Sequence, residues 1–237
     1  MNLELHANEE TVAHRGARII AADARAAVAT RGRFIAAFSG GHTPWLMFRA
    51  LAAEDVPWQA VHLVQVDERV APDGSAERNL THLRETLFDH VPLRPDQVMA
   101  MPVESADLDA AAKSYASTLQ EVAGSPAVLD LVHLGLGPDG HTASLVPGDP
   151  VLDITDAHVA PTRVYQGRRR MTLTYPVLNR ARRILWVVTG SEKREMLARL
   201  RNRDMSIPAG RVCQDRALVL ADHAAAGTND EVIHEQH

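Results

Sequence analysis

The residues of this chain best suited to chemistry lie together in Leu134-Gly-Leu-Gly-Pro-Asp-Gly-His-Thr-Ala-Ser-Leu-Val-Pro-Gly148. A carboxylate, Asp139, and an imidazole, His141, ride there on a turn cut by Gly135, Gly137 and Gly140. The apolar run 128–134 reads as a buried strand feeding that turn, and Pro147 and Gly148 end the segment. Histidine changes charge near neutral pH, so His141 can act as a general base toward water. A lone histidine more often serves structure, but three neighbouring glycines argue against a packed core position.

Three further clusters could cooperate with it. Ser39-Gly40-Gly41-His42-Thr43-Pro44 offers glycines, whose backbone N–H groups can approach an anion, and two hydroxyls, from Ser39 and Thr43. The same residues also suit an ordinary capped turn, with Thr43 as N-cap and Pro44 as first helical residue. His42 reads as a bystander. Asp67-Glu68-Arg69 can position an imidazole and polarise an oxygen, or simply form a salt-bridged strand end. Arg168-Arg169-Arg170 and Lys193 supply cations suited to a phosphate dianion, or a solvated charge run. Arg170 adjoins the apolar Met171-Thr-Leu run and is better placed than Arg168 or Arg169, though the choice among the three stays open.

Composition narrows the classes. The 237 residues are 46% hydrophobic and 23% charged, enough to bury a large core. A formal net charge of -5 argues against a general nucleic-acid binder, which needs a basic surface. One cysteine, Cys213, excludes an internal disulfide framework and suits a reducing compartment. The first ten residues lack the pattern of a signal peptide, and no apolar stretch is long enough to span a bilayer. A cytoplasmic protein without membrane association is expected. The twelve histidines show no ligand spacing, and His234-Glu-Gln-His237 lacks the i, i+4 pair of a zinc-protease helix, so no metal is expected. No Gly-x-Ser-x-Gly elbow is present.

The elements that must position these residues alternate. Helical spacing covers 9–30, 44–53, 77–89, 106–122 and 191–201, while strand-like runs cover 33–38, 61–66, 97–101, 128–134, 184–188 and 217–220. Short strands are expected near 158–160 and 171–174 within the less regular span that follows residue 147. Such alternation predicts an α/β fold, a mainly parallel sheet with helices on both faces. Loops after separate strands can then meet at one sheet edge. One domain is expected over 1–237, with 227–237 a frayed polar tail.

Taken in order, Ser39-Gly-Gly-x-Thr-Pro44, Asp67-Glu-Arg69 with Asn79, the 134–148 motif, and Arg170-x-Thr-Leu-Thr174 with Gly190-x-x-Lys193 resemble the 6-phosphogluconolactonase family over nearly the whole chain. The resemblance implies a Rossmann-like fold and hydrolysis of 6-phosphoglucono-δ-lactone to 6-phosphogluconate in the oxidative pentose phosphate pathway. It implies no cofactor. His141 would be the general base, Asp67 its support and Arg69 a lactone or oxyanion contact. Ser39, Gly40, Gly41, Thr43, Arg170 and Lys193 would hold the phosphate, with Gly137, Asp139 and Gly140 shaping the turn. The partner is a small sugar phosphate, and the assembly a monomer or small homo-oligomer.

Glucosamine-6-phosphate deaminases, in the same superfamily, are the nearest alternative. Their turn carries a glutamate where this chain has Val146, which cannot relay a proton, and they tend to have Asp-Glu-Tyr in place of Asp67-Glu-Arg69. A sensor that binds sugar phosphate without turnover would need the cradle but not the base. The valine itself departs from the lactonase pattern, where phenylalanine is commoner.

Overall fold

Strand β2 (Phe34–Phe38) sets the plan of the molecule, because its side chains feed two separate apolar layers. Phe34, Ala36 and Phe38 join one buried cluster, and Ile35 and Ala37 join the other. A strand buried on both faces needs helices on both, which is the parallel α/β arrangement. The computed structural model describes residues 1–228.

Seven strands form the main sheet in the order β1-β10-β9-β6-β2-β3-β5, every pair parallel. They are β1 (Asn2–His6), β2, β3 (Val61–Gln65), β5 (Val98–Met99), β6 (Leu131–Leu134), β9 (Arg183–Val188) and β10 (Ala217–Asp222). A second sheet, antiparallel and three-stranded, runs β4 (Asp67–Arg69), β8 (Arg170–Leu173), β7 (Val159–Pro161). Helices α1 (Glu9–Arg31) and α2 (His42–Ala52) pack in the layer that contains Phe34 and Phe38. Helix α3 (Asn79–Thr86) adds Leu83 to that layer. Helices α4 (Leu108–Ala123), α5 (Tyr175–Leu178), α6 (Arg194–Arg201), α7 (His223–Ala226) and the second sheet contribute to the opposite layer.

The fold class agrees with the sequence expectation, and most elements fall within a few residues of their expected spans. Helix α1 starts at a capping box: Thr11 N donates to Asn8 Oδ1 at 2.9 Å and Asn8 N donates to Thr11 Oγ1 at 3.2 Å. Three differences matter. β1 is an additional edge strand, half exposed, with too few apolar residues to register as a pattern. The Asp67-Glu-Arg segment, expected as the end of the 61–66 strand, is a strand of its own: after Val66 the chain leaves the main sheet and pairs with β8. Helix α2 begins at His42 with Gly41 as N-cap, so Thr43 is not the cap. Of the expected tail, Gly227 and Thr228 are ordered behind α7, donating to Ala224 O and His223 O. Residues 229–237, including His234 and His237, lie outside the described residues.

The order of the strands positions the site. From β2 the chain passes outward to β3 and β5, whereas from β6 it continues to β9 and β10 on the other side. The loops leaving the carboxyl ends of β2 and β6 therefore diverge and open a crevice, the usual ligand position in such sheets. Beneath it lies His133 on β6, fully buried, its Nδ1 accepting from Ser39 N at 3.3 Å and its ring against Phe38 and Phe48. Burial pushes its pKa from 6.5 down to about 3. Between those values the unfolded chain binds a proton that the folded chain refuses, so stability falls as pH falls below about 6.5. Urea unfolding from pH 7 to pH 4 should have a flatter pH slope in His133→Asn, by up to about 1.4 kcal/mol per pH unit. Identical slopes in both proteins would contradict this.

Candidate active site

The crevice is a cavity of about 710 Å³ lined from five strand ends. Ser39 to Thr43 follow β2, Asp67 and Arg69 lie on β4 just past β3, Gly135 to Pro138 and His141 follow β6, Thr189, Gly190, Glu192 and Lys193 follow β9, and Asp222 ends β10. Arg170, at the start of β8, closes one side.

His141 and its support come from one turn. Thr142 Oγ1 donates to Gly135 O at 2.9 Å and Gly137 N to His141 O at 2.8 Å, folding the loop back on the strand end. Gly137 is required there, because a Cβ would fall 2.1 Å from His141 Nδ1. Asp139 Oδ1 accepts from His141 N at 3.1 Å and lies 2.5 Å from Nδ1. Tyr165 donates its hydroxyl to Asp139 Oδ2 at 2.9 Å. Burial alone would raise the Asp139 pKa, but the backbone and ring donors of His141 and the Tyr165 hydroxyl together hold it below the ordinary carboxylate value. An ionised Asp139 can only accept, so Nδ1 carries the ring proton and Nε2 is left with a lone pair.

The imidazole's hydrogen-bond partner is thus Asp139, so Asp67, expected to hold the ring or to support its charge, does not hold it. Asp67 is buried and occupied elsewhere, accepting from Ser144 Oγ at 2.6 Å and Asn79 Nδ2 at 3.3 Å. Two residues apart on a tight turn, Asp139 can reach the ring, whereas Asp67 is anchored to α3 and the 142–145 turn.

Glu68, the middle residue of its triplet, is fully buried and faces away from the cavity chemistry. Its carboxylate accepts from Asn79 N at 2.8 Å, Leu80 N at 2.9 Å, Arg69 N at 2.8 Å and Gln65 Nε2 at 2.8 Å. Arg78 Nε lies 3.3 Å away. Glu68 therefore supplies the cap that α3 lacks at Arg78. That anchors Asn79, which accepts from Arg69 Nη1 at 2.9 Å and presses on Gly40, where a Cβ would meet Asn79 Oδ1 at 2.1 Å.

Cations dominate the facing wall. Arg69 and Arg170 are directly opposite in the β4–β8 ladder. Among the described residues neither has a carboxylate within ion-pair distance. Like charges opposed across strands repel, so the pair is suited to an anion. Arg170 is buried, donates from Nη2 to Gln166 Oε1 at 3.1 Å, and lies 5.0 Å from the Tyr165 ring centre. Of the three candidate arginines only Arg170 lines the cavity: Arg168 pairs with Glu77 and Arg169 donates to Thr162 O. Lys193 lines the opposite rim after Gly190, whose N–H is held by Asp222. The first turn of α2, capped by no side chain at Gly41, offers its free N–H groups to the same space.

The hydroxyls divide. Ser39 Oγ spends its hydrogen on His133 O at 3.0 Å, so toward an anion it has nothing to donate. That removes its side chain from the expected cradle. Thr43 and Thr189 share one hydrogen bond at 2.6 Å, leaving one hydroxyl hydrogen of the two for a ligand. Asp139 and Gly140 do not line the cavity, and Gly140 adopts φ +80 against Ile207. His42 is exposed on the rim, and Val146 is buried away from the cavity. Sequence reading passed over Tyr165, in the irregular span before β8. The Gln-Gly pair between Tyr165 and Arg168 was the available signal, a two-residue hairpin turn. No described cluster of three His, Cys, Asp or Glu could hold a metal ion.

The sequence matches the family model for glucosamine-6-phosphate isomerases/6-phosphogluconolactonase over residues 7–220. The chain belongs to this family. A 6-phosphogluconolactonase of Mycobacterium tuberculosis is 38% identical over 229 residues, covering 91% of this chain and 92% of that one. A structure of 6-phosphogluconolactonase from Thermotoga maritima superposes with a TM-score of 0.83 at 24% identity, covering 93% of this chain and 98% of that one. A monomeric glucosamine-6-phosphate deaminase superposes almost as well, TM-score 0.82 at 19% identity over 97% of this chain and 100% of that one. These superpositions show a shared fold, and the family description names both enzymes. Among the described residues no helix is long and apolar enough to cross a membrane.

Proposed function

We propose that this chain is a 6-phosphogluconolactonase, hydrolysing 6-phosphoglucono-δ-lactone to 6-phosphogluconate in the oxidative pentose phosphate pathway. The observation that carries the reading is one cavity holding both an oriented base, His141, and an unpaired cationic wall, Arg69 and Arg170. A six-membered lactone keeps its phosphate close to C1, so both must fit one small space.

His141 Nε2 takes a proton from water as oxygen bonds to C1. Arg69 stabilises the charge growing on the carbonyl oxygen. The C1 to ring-oxygen bond then breaks, and His141 returns the proton to the ring oxygen. Asp139 holds the imidazole and stabilises its charged form. Asp67 acts on Arg170 through its charge without forming an ion pair, and its hydrogen bonds go to Ser144 and Asn79. The phosphate, with about -1.5 to -2 charges, is held by Arg170, Lys193, Thr43 and the N–H groups from Gly40 onward, which orients C1 beside the base. The assembly is a monomer or small homo-oligomer of a one-domain chain. The half-buried, unpaired Cys213 suits a reducing, cytoplasmic setting.

Deamination is less favoured, because Val146 brings no carboxylate for ring opening and Arg69 stands where deaminases tend to have tyrosine. Loss of freshly generated 6-phosphogluconolactone, followed against its spontaneous rate, tests the reading with ammonia release from glucosamine 6-phosphate in parallel. Acceleration of the first alone is expected. Ammonia release without lactone loss would overturn it, and binding without either would indicate a sensor.

Removal of the phosphate contacts has its own signature. Arg170→Ala or Lys193→Ala should weaken 6-phosphogluconate binding by about 10- to 100-fold, the range for a lost charged hydrogen bond. Gluconate, which has no phosphate, should lose much less. Equal losses for both ligands would take the residue out of the phosphate site.

A further inference from the structure

The loop before β8 ends in a hairpin tip that touches the site from behind, at Asp139, His141 and Arg170. Tyr165 N donates to Arg168 O at 2.9 Å and Arg168 N to Tyr165 O at 3.3 Å, with Gln166 at φ 49 and Gly167 at φ 80. Two central residues at positive φ make a tight two-residue turn whose twist matches the flanking strands. The turn places Tyr165 between the two halves of the site. Its hydroxyl donates to Asp139 Oδ2 at 2.9 Å and lies 3.4 Å from His141 Nδ1. Its ring meets the His141 ring edge-on at 5.5 Å and carries the Arg170 guanidinium at 5.0 Å. Gln166 holds the same guanidinium through its Oε1 at 3.1 Å.

We propose that Tyr165 is a positioning residue with two separable actions: its hydroxyl sets the Asp139–His141 hydrogen bond, and its ring presents Arg170 to the substrate phosphate. The second action rests on the lactonase reading above, while the first does not.

The physical case is specific. Asp139 has two oxygens, and one faces each donor group. A phenol bonded to Oδ2 draws charge away from Oδ1 and fixes the carboxylate plane, so it governs how firmly Nδ1–H is held. Arg170 is buried, and among the described residues has no carboxylate within ion-pair distance. The aromatic face and Gln166 compensate for that desolvated cation while leaving the guanidinium free for an anion.

Two variants separate the actions. Tyr165→Phe removes the hydroxyl and keeps the ring, and Tyr165→Leu removes both. In Tyr165→Phe, the downfield proton resonance of the His141 Nδ1–H should move further downfield in the resting protein, because Oδ1 regains charge. The kcat for lactone hydrolysis should fall about 3- to 10-fold with KM unchanged. Tyr165→Leu should show the same kcat and also raise KM for the phosphorylated lactone about 5- to 20-fold, with no such rise for glucono-δ-lactone. An unmoved resonance in Tyr165→Phe would overturn the first action whatever the substrate proves to be. Equal KM values in the two variants would overturn the second. If wild type fails to accelerate lactone hydrolysis while the resonance moves, the substrate reading falls and the hydroxyl's role stands.

Discussion

Replacing His141 with alanine is expected to lower kcat for lactone hydrolysis by roughly two to four decades, the range for loss of a general base. The folded state should survive, because the imidazole is half buried and its hydrogen bonds go only to Asp139 and Tyr165 among the described residues. KM should change little, since the cationic wall that binds the phosphate remains. Asp139→Asn should fall between wild type and His141→Ala. An amide facing Nδ1 can donate to it, which would put the ring proton on Nε2 and remove the base. The pair of variants therefore also tests which aspartate serves the histidine. Wild-type turnover in His141→Ala, checked by stopped assays on fresh lactone, would remove His141 from the mechanism.

The largest stability effect is expected at Glu68, a residue with no part in the chemistry. Glu68→Ala deprives the backbone N–H groups of Arg69, Asn79 and Leu80 and the side chain of Gln65 of their acceptor. It also leaves the buried Arg78 guanidinium the Ala71 carbonyl at 3.5 Å, the exposed Glu104 at 3.4 Å and the marginal contact to Asp73. Breaking a buried pair from one side costs about 3–5 kcal/mol. Glu68→Gln keeps one carbonyl oxygen for the α3 N–H groups and should cost less, about 1–3 kcal/mol. Urea unfolding of both variants checks the order, and the glutamine form keeps the measurement possible if the alanine form does not fold. A midpoint for Glu68→Ala equal to wild type would contradict the assignment. Because Asn79 hangs from Glu68 and braces Arg69 and Gly40, the site should loosen with the helix.

Much of this architecture could be read from side-chain periodicity. The strands β2, β9 and β10 carry nearly continuous apolar runs because both faces of the sheet are covered, β3 and β6 are mainly apolar with His62 and His133 in them, and α1 and α4 carry helical stripes and side-chain caps. β4 was hidden because Asp67-Glu-Arg69 has neither alternation nor bulk, and its strand pairing is with β8, about a hundred residues later. β1 was hidden because an exposed edge strand needs little hydrophobicity. The chemical residues were legible by type, and the structure shows close approaches at Gly137 and Gly40, made by the side chains of His141 and Asn79. Their partnerships were less so. Whether Asp67 or Asp139 faces the ring depends on the course of the loop in space, and residue type alone does not record it. Ser39 reads as a phosphate ligand until its hydrogen is found on His133 O. Tyr165 had no periodic neighbours to mark it.

The arrangement of base and cationic wall is tested most directly by a crystal structure of this chain with 6-phosphogluconate bound. The carboxyl carbon C1 is expected beside His141 Nε2, with the phosphate against Arg170, Lys193 and the first turn of α2. A phosphate seated at His141, with C1 directed toward α2, would contradict it.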